Sequence, residues 1–225
     1  MKNGKSLPND IRNKRIKQQI ILISSLFCVL KLVTGIISYN LASNMLGEQL
    51  IFKCKAVALT VASVIASDSN GYEEFLRTLD IESDYYNRTK ELMMDIKNAN
   101  SDQVFYIYTE ARLDNDTMMY VIGGEDPTSP MYTAPGVKDM LVDANREAYD
   151  KKLPTAGTNF ENTKYGVRLS AYAPIIHKET GELLGLAGAD ITKFQYNNVM
   201  NIILFETIIS ITIVFIFFCL ILFLF

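Results

Sequence analysis

The sequence has no tryptophan, one histidine and three cysteines among its 225 residues. Cys28 and Cys219 lie inside long apolar runs, which leaves Cys54 alone in the rest of the chain. A single cysteine cannot form an internal disulfide, so a disulfide-stabilised scaffold is excluded. The chain also lacks a Cys–His pair, an HExxH motif, a paired CxxC, a P-loop and a dinucleotide-binding glycine pattern. These absences argue against an enzyme, and we predict no cofactor.

Few residues could hold a metal ion. The lone histidine, His177, stands at a predicted hairpin end and is expected to be an exposed turn residue. Asp114 and Asp116 lie in a polar turn, where two acids usually face water. We therefore predict no metal site.

Charge is unevenly distributed along the chain. Residues 1–19 carry six Lys or Arg and one acid, whereas residues 40–198 carry 15 basic and 23 acidic side chains. A middle segment with a surplus of acids repels the phosphate backbone, so we expect no nucleic-acid partner.

Two apolar runs lie near the chain ends. Residues 20–39 contain one charge, Lys31, and residues 199–225 contain one charge, Glu206. About 20 helical residues cover the ~30 Å hydrocarbon core of a bilayer, so we predict two transmembrane helices. A cleaved signal peptide is the alternative for the first run, although its apolar stretch exceeds the usual ~7–15 residues. The basic residues before the first run place the N-terminus in the cytoplasm and the middle segment outside.

The two charges inside these runs are predicted to meet. Lys31 lies eight residues before Tyr39, and Glu206 lies seven residues after Val199. At helical rise both are ~10–12 Å below the outer surface. Because an isolated ion in the bilayer costs on the order of 3 kcal/mol, we predict an ion pair or hydrogen bond between them. The alternative is that Lys31 snorkels while Glu206 is protonated or hydrated.

Apolar residues then recur at spacings of four and three from Leu46 to Val64 and predict a long helix leaving the membrane. This stripe either packs on the core or meets a second copy of itself, which would place Cys54 near a dimer axis. Shorter helices are predicted around 72–79 and 83–98, the latter capped by Ser83 or Asp84.

The remaining segments alternate between strands and loops. Aromatic and β-branched residues predict two hairpins, whose strands are residues 103–109 with 118–123 and 165–177 with 183–191. Residues 125–136 contain three prolines and are predicted to be a loop, and the spacing within 137–149 predicts a helix. Locally paired strands with helices before and between them predict an α+β domain with an antiparallel sheet.

Alternation along the strands predicts a polar and aromatic face. Arg168, Ser170 and Tyr172 share one face of their strand, and the corresponding sets on two other strands are Leu184, Leu186, Gly188 and Asp190, and Tyr106 and Tyr108. A face with tyrosines, an arginine and a carboxylate can hold a small polar ligand. We predict such a ligand, enclosed by the Pro-rich loop, with these candidate contacts: Asp190, Arg168, Tyr172, Tyr106, Tyr108 and Tyr120. The alternative is that these residues form the wet face of a half-covered sheet.

Two segments, YGVRLSAYAPI and KETGELLGLAGADI, carry a family resemblance. They resemble the ending of a bacterial extracytoplasmic Cache sensor, and with the order of the other elements the resemblance covers about residues 16–225. This PAS-like domain occurs in chemoreceptors, sensor histidine kinases and transmembrane diguanylate cyclases. The resemblance implies a PAS-like sheet, a homodimer joined through the membrane-proximal helices, and contact between Asp190 and a ligand amine. The arginine-and-tryptophan pair of the family's amino-acid binders has no counterpart here.

The expected organisation has four parts: a basic cytoplasmic N-terminus (1–19), a first transmembrane helix (20–39), an extracytoplasmic sensor domain (40–198) and a second transmembrane helix (199–225). We expect the non-enzymatic, ligand-sensing input region of a receptor in the bacterial inner membrane. Its cytoplasmic output module would follow the second span. The alternative is a non-signalling, membrane-anchored protein that binds a ligand or a partner.

Overall fold

The computed structural model describes residues 9–101 and 104–224 and separates them into two compact units. One unit is Leu46–Asn197, and the other consists of the described residues up to Met45 together with those from Asn198 onward. Residues 1–8 of the predicted basic N-terminus, residue 103 of the first predicted strand and residue 225 of the second predicted transmembrane helix lie outside the described residues.

Five helices are present in the described ranges: α1 Asn9–Ser67, α2 Ser69–Thr78, α3 Asp84–Ala99, α4 Asp143–Lys151 and α5 Lys193–Leu224. The Ser83 side chain accepts a hydrogen bond from the backbone N–H of Tyr86 at 3.2 Å, which confirms the predicted cap of α3. Helix α2 begins at a similar cap, since the Asp68 carboxylate accepts from the N–H of Gly71.

The seven strands of the described ranges form one antiparallel sheet: β1 Tyr106–Arg112, β2 Thr117–Gly123, β3 Lys138–Met140, β4 Thr155–Ala156, β5 Glu161–Thr163, β6 Gly166–Ile176 and β7 Leu183–Thr192. Their order is β3-β2-β1-β7-β6-β4, and β5 also pairs with β6. The α+β class and both predicted hairpins are therefore confirmed. The last strand lies between β1 and β6, so that Asp190 is opposite both Tyr106 and Ser170.

The predicted helix over 137–149 is wrong in its first half. Residues 138–140 form β3, which pairs with β2 so that Asp139 lies opposite Met118. The free edge of β2 offers hydrogen bonds that local spacing does not reveal. The helix begins only at Asp143. At its start the Asn145 side chain accepts a hydrogen bond from the backbone N–H of Val142 at 2.8 Å.

The two faces of the sheet pack against different partners. Ile107, Leu169, Ala189 and Ile191 face a core shared with α1, α2 and α3. Alternate residues on the same strands form a second cluster with α4; it contains Tyr106, Tyr108, Tyr172, Leu186, Ala144, Ala148 and Tyr149. Leu184 was predicted to share a face of its strand with Leu186. The β6–β7 register shifts beside it, between Ile175 and Ile176, and Leu184 packs against the first core instead.

The apolar stripe of α1 belongs to the core of the sheet unit. Leu50, Cys54, Val57 and Val61 are all buried there. Burial raises the pKa of the Cys54 thiol to about 12, so the thiol stays protonated and unreactive. The prediction that Cys54 lies near a dimer axis is therefore wrong, because this face of α1 packs on the core.

Two helices are long and apolar enough to cross a membrane by length and composition, one within residues Ile11–Ser67 and the other within Lys193–Ile221. Their apolar side chains are mostly exposed. Phe27 packs on Phe218 with ring centroids 5.6 Å apart, and a Cβ at Gly35 would lie 3.1 Å from a Thr207 methyl carbon. Glycine thus permits a close approach of the two helices.

Lys31 and Glu206 line one cavity of about 290 Å³ in this helix pair, together with Thr34, Ser38, Thr207 and Ser210 among others. Within the described helices, no ion pair or hydrogen bond joins the two charges. The two residues thus share one cavity without a direct contact.

Candidate ligand-binding site

The predicted charged residues form a buried pair on the α4 side of the sheet. An Arg168 Nη atom donates to an Asp190 carboxylate oxygen at 3.0 Å, and the side chains of the residues are only 6% and 2% exposed. The Tyr108 hydroxyl donates to the other carboxylate oxygen at 3.1 Å. Burial raises the pKa of Asp190, while Arg168 and the hydroxyls of Ser170 and Tyr108 oppose that rise.

Arg168 is held on several sides. Its Nε and second Nη donate to the carbonyl of Tyr165 at 3.3 Å and 3.1 Å. The guanidinium carbon lies 3.9 Å from the ring centre of Tyr106 and 4.7 Å from that of Tyr165. Aromatic faces attract cations, so the two rings fix the guanidinium in place.

Glycine makes room for this arrangement in the neighbouring strand. Gly188 lies opposite Tyr108, and a Cβ there would come within 2.5 Å of the tyrosine ring. Tyr108 can therefore lie across β7 and reach Asp190 only because residue 188 has no side chain.

Five of the six predicted contacts line a cavity of about 210 Å³. This is several times the roughly 30 Å³ that one water occupies in the liquid. The five residues are Tyr108, Tyr120, Arg168, Tyr172 and Asp190. Tyr106 lines an adjoining space of about 30 Å³, where Met131 and Thr133 of the Pro-rich loop also lie. The described residues of that loop line the smaller space, whereas β3, α4 and β5 contribute to the wall of the larger cavity.

The cavity wall includes polar residues that the sequence reasoning missed, among them Asp139, Asn145, Glu161, Lys164 and Tyr165. Lys164 Nζ lies 3.2 Å from a carboxylate oxygen of Asp139, to which the Tyr120 hydroxyl also donates at 3.2 Å. These residues come from short strands and turns that lack the alternation of a longer strand. Their position depends on pairing with β2 and β6, so no local signal indicated them.

A buried carboxyl group lies behind this wall. Glu110 is on the same face of β1 as Tyr106 and Tyr108, and one of its oxygens accepts from the Asn145 amide at 3.0 Å. The other oxygen has no hydrogen-bond partner among the described residues. Burial raises the pKa of Glu110 from 4.5 to about 8, and Asn145 offsets only part of that rise. At neutral pH the group is therefore mostly protonated.

The histidine and the turn acids have structural roles. His177 is buried, contrary to the predicted exposed turn, because its Nε2 lies 3.0 Å from the side-chain oxygen of Asn70. Asp114 accepts from two backbone N–H groups and the Thr117 hydroxyl, which closes the β1–β2 turn. Across residues 9–101 and 104–224, no group of three His, Cys, Asp or Glu side chains could hold a metal ion.

No protein-family model matches the chain, and no curated protein sequence does either. Solved structures show a distant likeness. The extracellular domain of mmHK1S-Z2, described as a histidine kinase, is 17% identical with a TM-score of 0.40; the alignment covers 69% of this chain and 59% of that chain.

A second likeness is to the sensory domain of the Campylobacter jejuni chemoreceptor Tlp3, which is 13% identical with a TM-score of 0.34 over 71% of this chain and 67% of that one. The ligand-binding domain of Tlp3 in complex with 4-methylisoleucine is 13% identical, with a TM-score of 0.32 over 68% and 62% of the two chains.

Replacing Glu110 with glutamine should change the pH dependence of stability. Since the pKa of Glu110 is about 8 when folded and 4.5 ordinarily, the wild type should lose stability as pH rises between those values. The loss is at most about 1.4 kcal/mol per pH unit and ends above the folded pKa. Glu110→Gln keeps the Asn145 hydrogen bond and removes the titration.

Thermal unfolding of the full chain in detergent, followed by circular dichroism from pH 5 to 9, measures this difference. The stability of Glu110→Gln relative to the wild type should increase as pH rises. The control is Glu91→Gln, which removes an exposed acid. Parallel curves for Glu110→Gln and the wild type would contradict the assignment.

The Arg168–Asp190 pair should show strong coupling. Arg168→Met or Asp190→Leu alone leaves one buried charge without its partner and should cost about 3–5 kcal/mol. The double variant should cost less than the sum of the two, because neither charge then remains. The same unfolding measurement gives the coupling energy, and Lys164→Met serves as the control because the side chains of its pair, Lys164 and Asp139, are 48% and 25% exposed, far more than those of Arg168 and Asp190. Additive losses would show that the two side chains do not depend on each other.

Proposed function

We propose that this chain is the ligand-sensing region of a bacterial membrane receptor. Its sheet unit would bind a small polar ligand outside the cell, and its two apolar helices would anchor it in the inner membrane with the N-terminus in the cytoplasm. The observation that carries the proposal is the cavity of about 210 Å³, with its tyrosines and buried charge pair, in a chain whose two long helices are apolar and exposed. Concave sites with a few fixed polar groups are typical of small-molecule binding.

The connection between site and helix supports a signalling role. Strand β7 carries Asp190 and ends at Thr192, and α5 begins at the next residue. The N–H of Thr192 donates to the Gln195 side chain at 3.2 Å, and the N–H of Gln195 donates to the Thr192 hydroxyl at 3.2 Å. This reciprocal capping leaves no flexible linker between the strand and the helix. A ligand that prefers one position of β7 would therefore bias the position of α5.

A cytoplasmic output module would receive that bias. A diguanylate cyclase, a histidine kinase and a chemoreceptor signalling module are the forms that the family resemblance suggests. The second candidate function is a membrane-anchored protein that captures a ligand or partner without signalling, and it would use the same cavity.

The membrane topology can be tested in intact cells with single-cysteine variants that otherwise lack cysteine. Asn115→Cys, at an exposed turn of the sheet unit, should react with a membrane-impermeant maleimide. Lys17→Cys, near the N-terminus of α1, should react only after the cells are opened. The chain should also stay in the membrane fraction after alkaline extraction. Extraction at high pH, or the reverse labelling pattern, would refute the receptor proposal.

We also propose a parallel homodimer, formed through a face of α1 other than the buried one that carries Cys54. Gln49, Phe52, Ala56, Leu59 and Ser63 are exposed at alternating spacings of three and four. Phe52 is 75% exposed and Leu59 is 45% exposed, although both are large and apolar. Such spacing is typical of helices that pack along a shared seam.

Cysteine cross-linking distinguishes the two faces of α1. Leu59→Cys in a chain whose three natural cysteines are replaced by serine should give a disulfide-linked dimer on mild oxidation of membranes, because bridged Cα atoms must come within ~7 Å. The chain with only Cys54 should not cross-link, because that thiol is buried. A dimer through Cys54, or none through Leu59→Cys and Phe52→Cys, would contradict the proposed seam.

A further inference from the structure

The wall of the 210 Å³ cavity carries more acids than bases. Asp139, Glu161 and Asp190 line it, against Lys164 and Arg168. The wall therefore has one more acid than it has bases, and this surplus favours a cationic ligand.

Both cations already have partners. Arg168 is paired with Asp190 and stacked between two tyrosine rings. A ligand carboxylate that took Arg168 would leave Asp190 buried without its cation, which is costly. Lys164 is paired with Asp139 at 3.2 Å. The wall therefore offers no free cation to a ligand carboxylate.

Glu161 is the exception among the five charges. No hydrogen bond or ion pair joins its carboxylate to any residue in the described part of the chain. It lies on β5 directly opposite Arg168 of β6, so both side chains belong to the same face of the sheet. Arg168 is nevertheless bound to Asp190 and to the Tyr165 carbonyl.

The rest of the wall suits a cation as well. Tyr108, Tyr120 and Tyr172 line the same cavity, whereas the ring of Tyr165 already contacts Arg168 and Lys164. The faces of tyrosine rings attract ammonium groups, most strongly where water is excluded. A carboxylate and aromatic rings together are a suitable environment for an amine.

From these contacts we infer that the cavity selects a ligand with a positively charged amine or quaternary ammonium group and no carboxylate, and that Glu161 is its anionic contact. The inference rests on the proposed function, since it concerns the same cavity. It differs from the family resemblance, which implies that Asp190 contacts the amine. In this structure Asp190 is already occupied by Arg168 and Tyr108.

Matched probes test the charge preference. Phenethylammonium, 2-phenylethanol and 3-phenylpropionate share a phenyl ring and a two-carbon chain and differ in the terminal group. Isothermal titration of each into the purified full chain in detergent should show the ammonium binding at least tenfold more tightly than the alcohol or the carboxylate. Equal or tighter binding of the carboxylate would overturn the inference.

Substitution of Glu161 tests the contact itself. Glu161→Gln should weaken phenethylammonium binding about tenfold or more and leave 2-phenylethanol binding unchanged, while Glu161→Asp should retain part of the preference. Glu182→Gln, which removes an exposed acid from the β6–β7 turn, is the matched control and should behave as the wild type. Thermal unfolding of Glu161→Gln should match the wild type, because the carboxylate has no partner to lose.

The outcomes separate this inference from the proposed function. If the alcohol and the carboxylate bind and compete with each other, but the ammonium binds no more tightly, the result supports the ligand site and contradicts the charge preference. Unchanged ammonium binding in Glu161→Gln would overturn the role of that residue. If none of the three probes binds, both the charge preference and the proposed ligand site fail.

Discussion

The buried pair of Arg168 and Asp190 is the constraint on which the site depends. A buried ion pair contributes little net stability compared with well-packed apolar residues of the same size, because both ions must leave water. Its effect here is positional. Asp190 lies in the central part of the sheet, and Arg168 reaches it from the neighbouring strand while stacked between Tyr106 and Tyr165. This contact therefore holds the rings of Tyr106 and Tyr165 beside the guanidinium and connects β6 to β7 at the wall of the cavity.

The pair can exist because the strands divide the sheet into two unlike faces. Small and branched apolar residues, including Ala171, Ala187 and Ala189, face the helices and exclude water from the first core. The other face carries tyrosines, whose rings bury area while their hydroxyls donate to polar groups such as Asp190. The hydrogen-bonded sheet thus separates a polar cavity on one face from an apolar core on the other. Glu110 lies on this second face, where burial raises the pKa of its carboxyl group and no cation among the described residues pairs with it.

The sequence predicted the parts of the fold that repeat a local period. The long strands alternate over most of their length, so the shared face of Arg168 and Tyr172 could be identified without a structure, and the apolar runs stood out by length. The errors came from contacts between distant residues. His177 is buried because Asn70, 107 residues earlier, hydrogen-bonds its ring. Residues 138–140 become a strand because the edge of β2 is available. Glu161 joins the cavity through a three-residue strand, too short to carry a pattern.

The geometry of β7 also limits how a bound ligand could act at a distance. In the proposed receptor a signal must leave the sheet unit through the chain, and β7 continues into α5 without an intervening loop. The reciprocal hydrogen bonds of Thr192 and Gln195 stiffen that junction. A stiff junction transmits displacement and rotation, whereas a flexible one would absorb them. Asp190 lies only two residues before Thr192, so in the proposed receptor a ligand that shifts β7 at the cavity wall would act close to the start of α5.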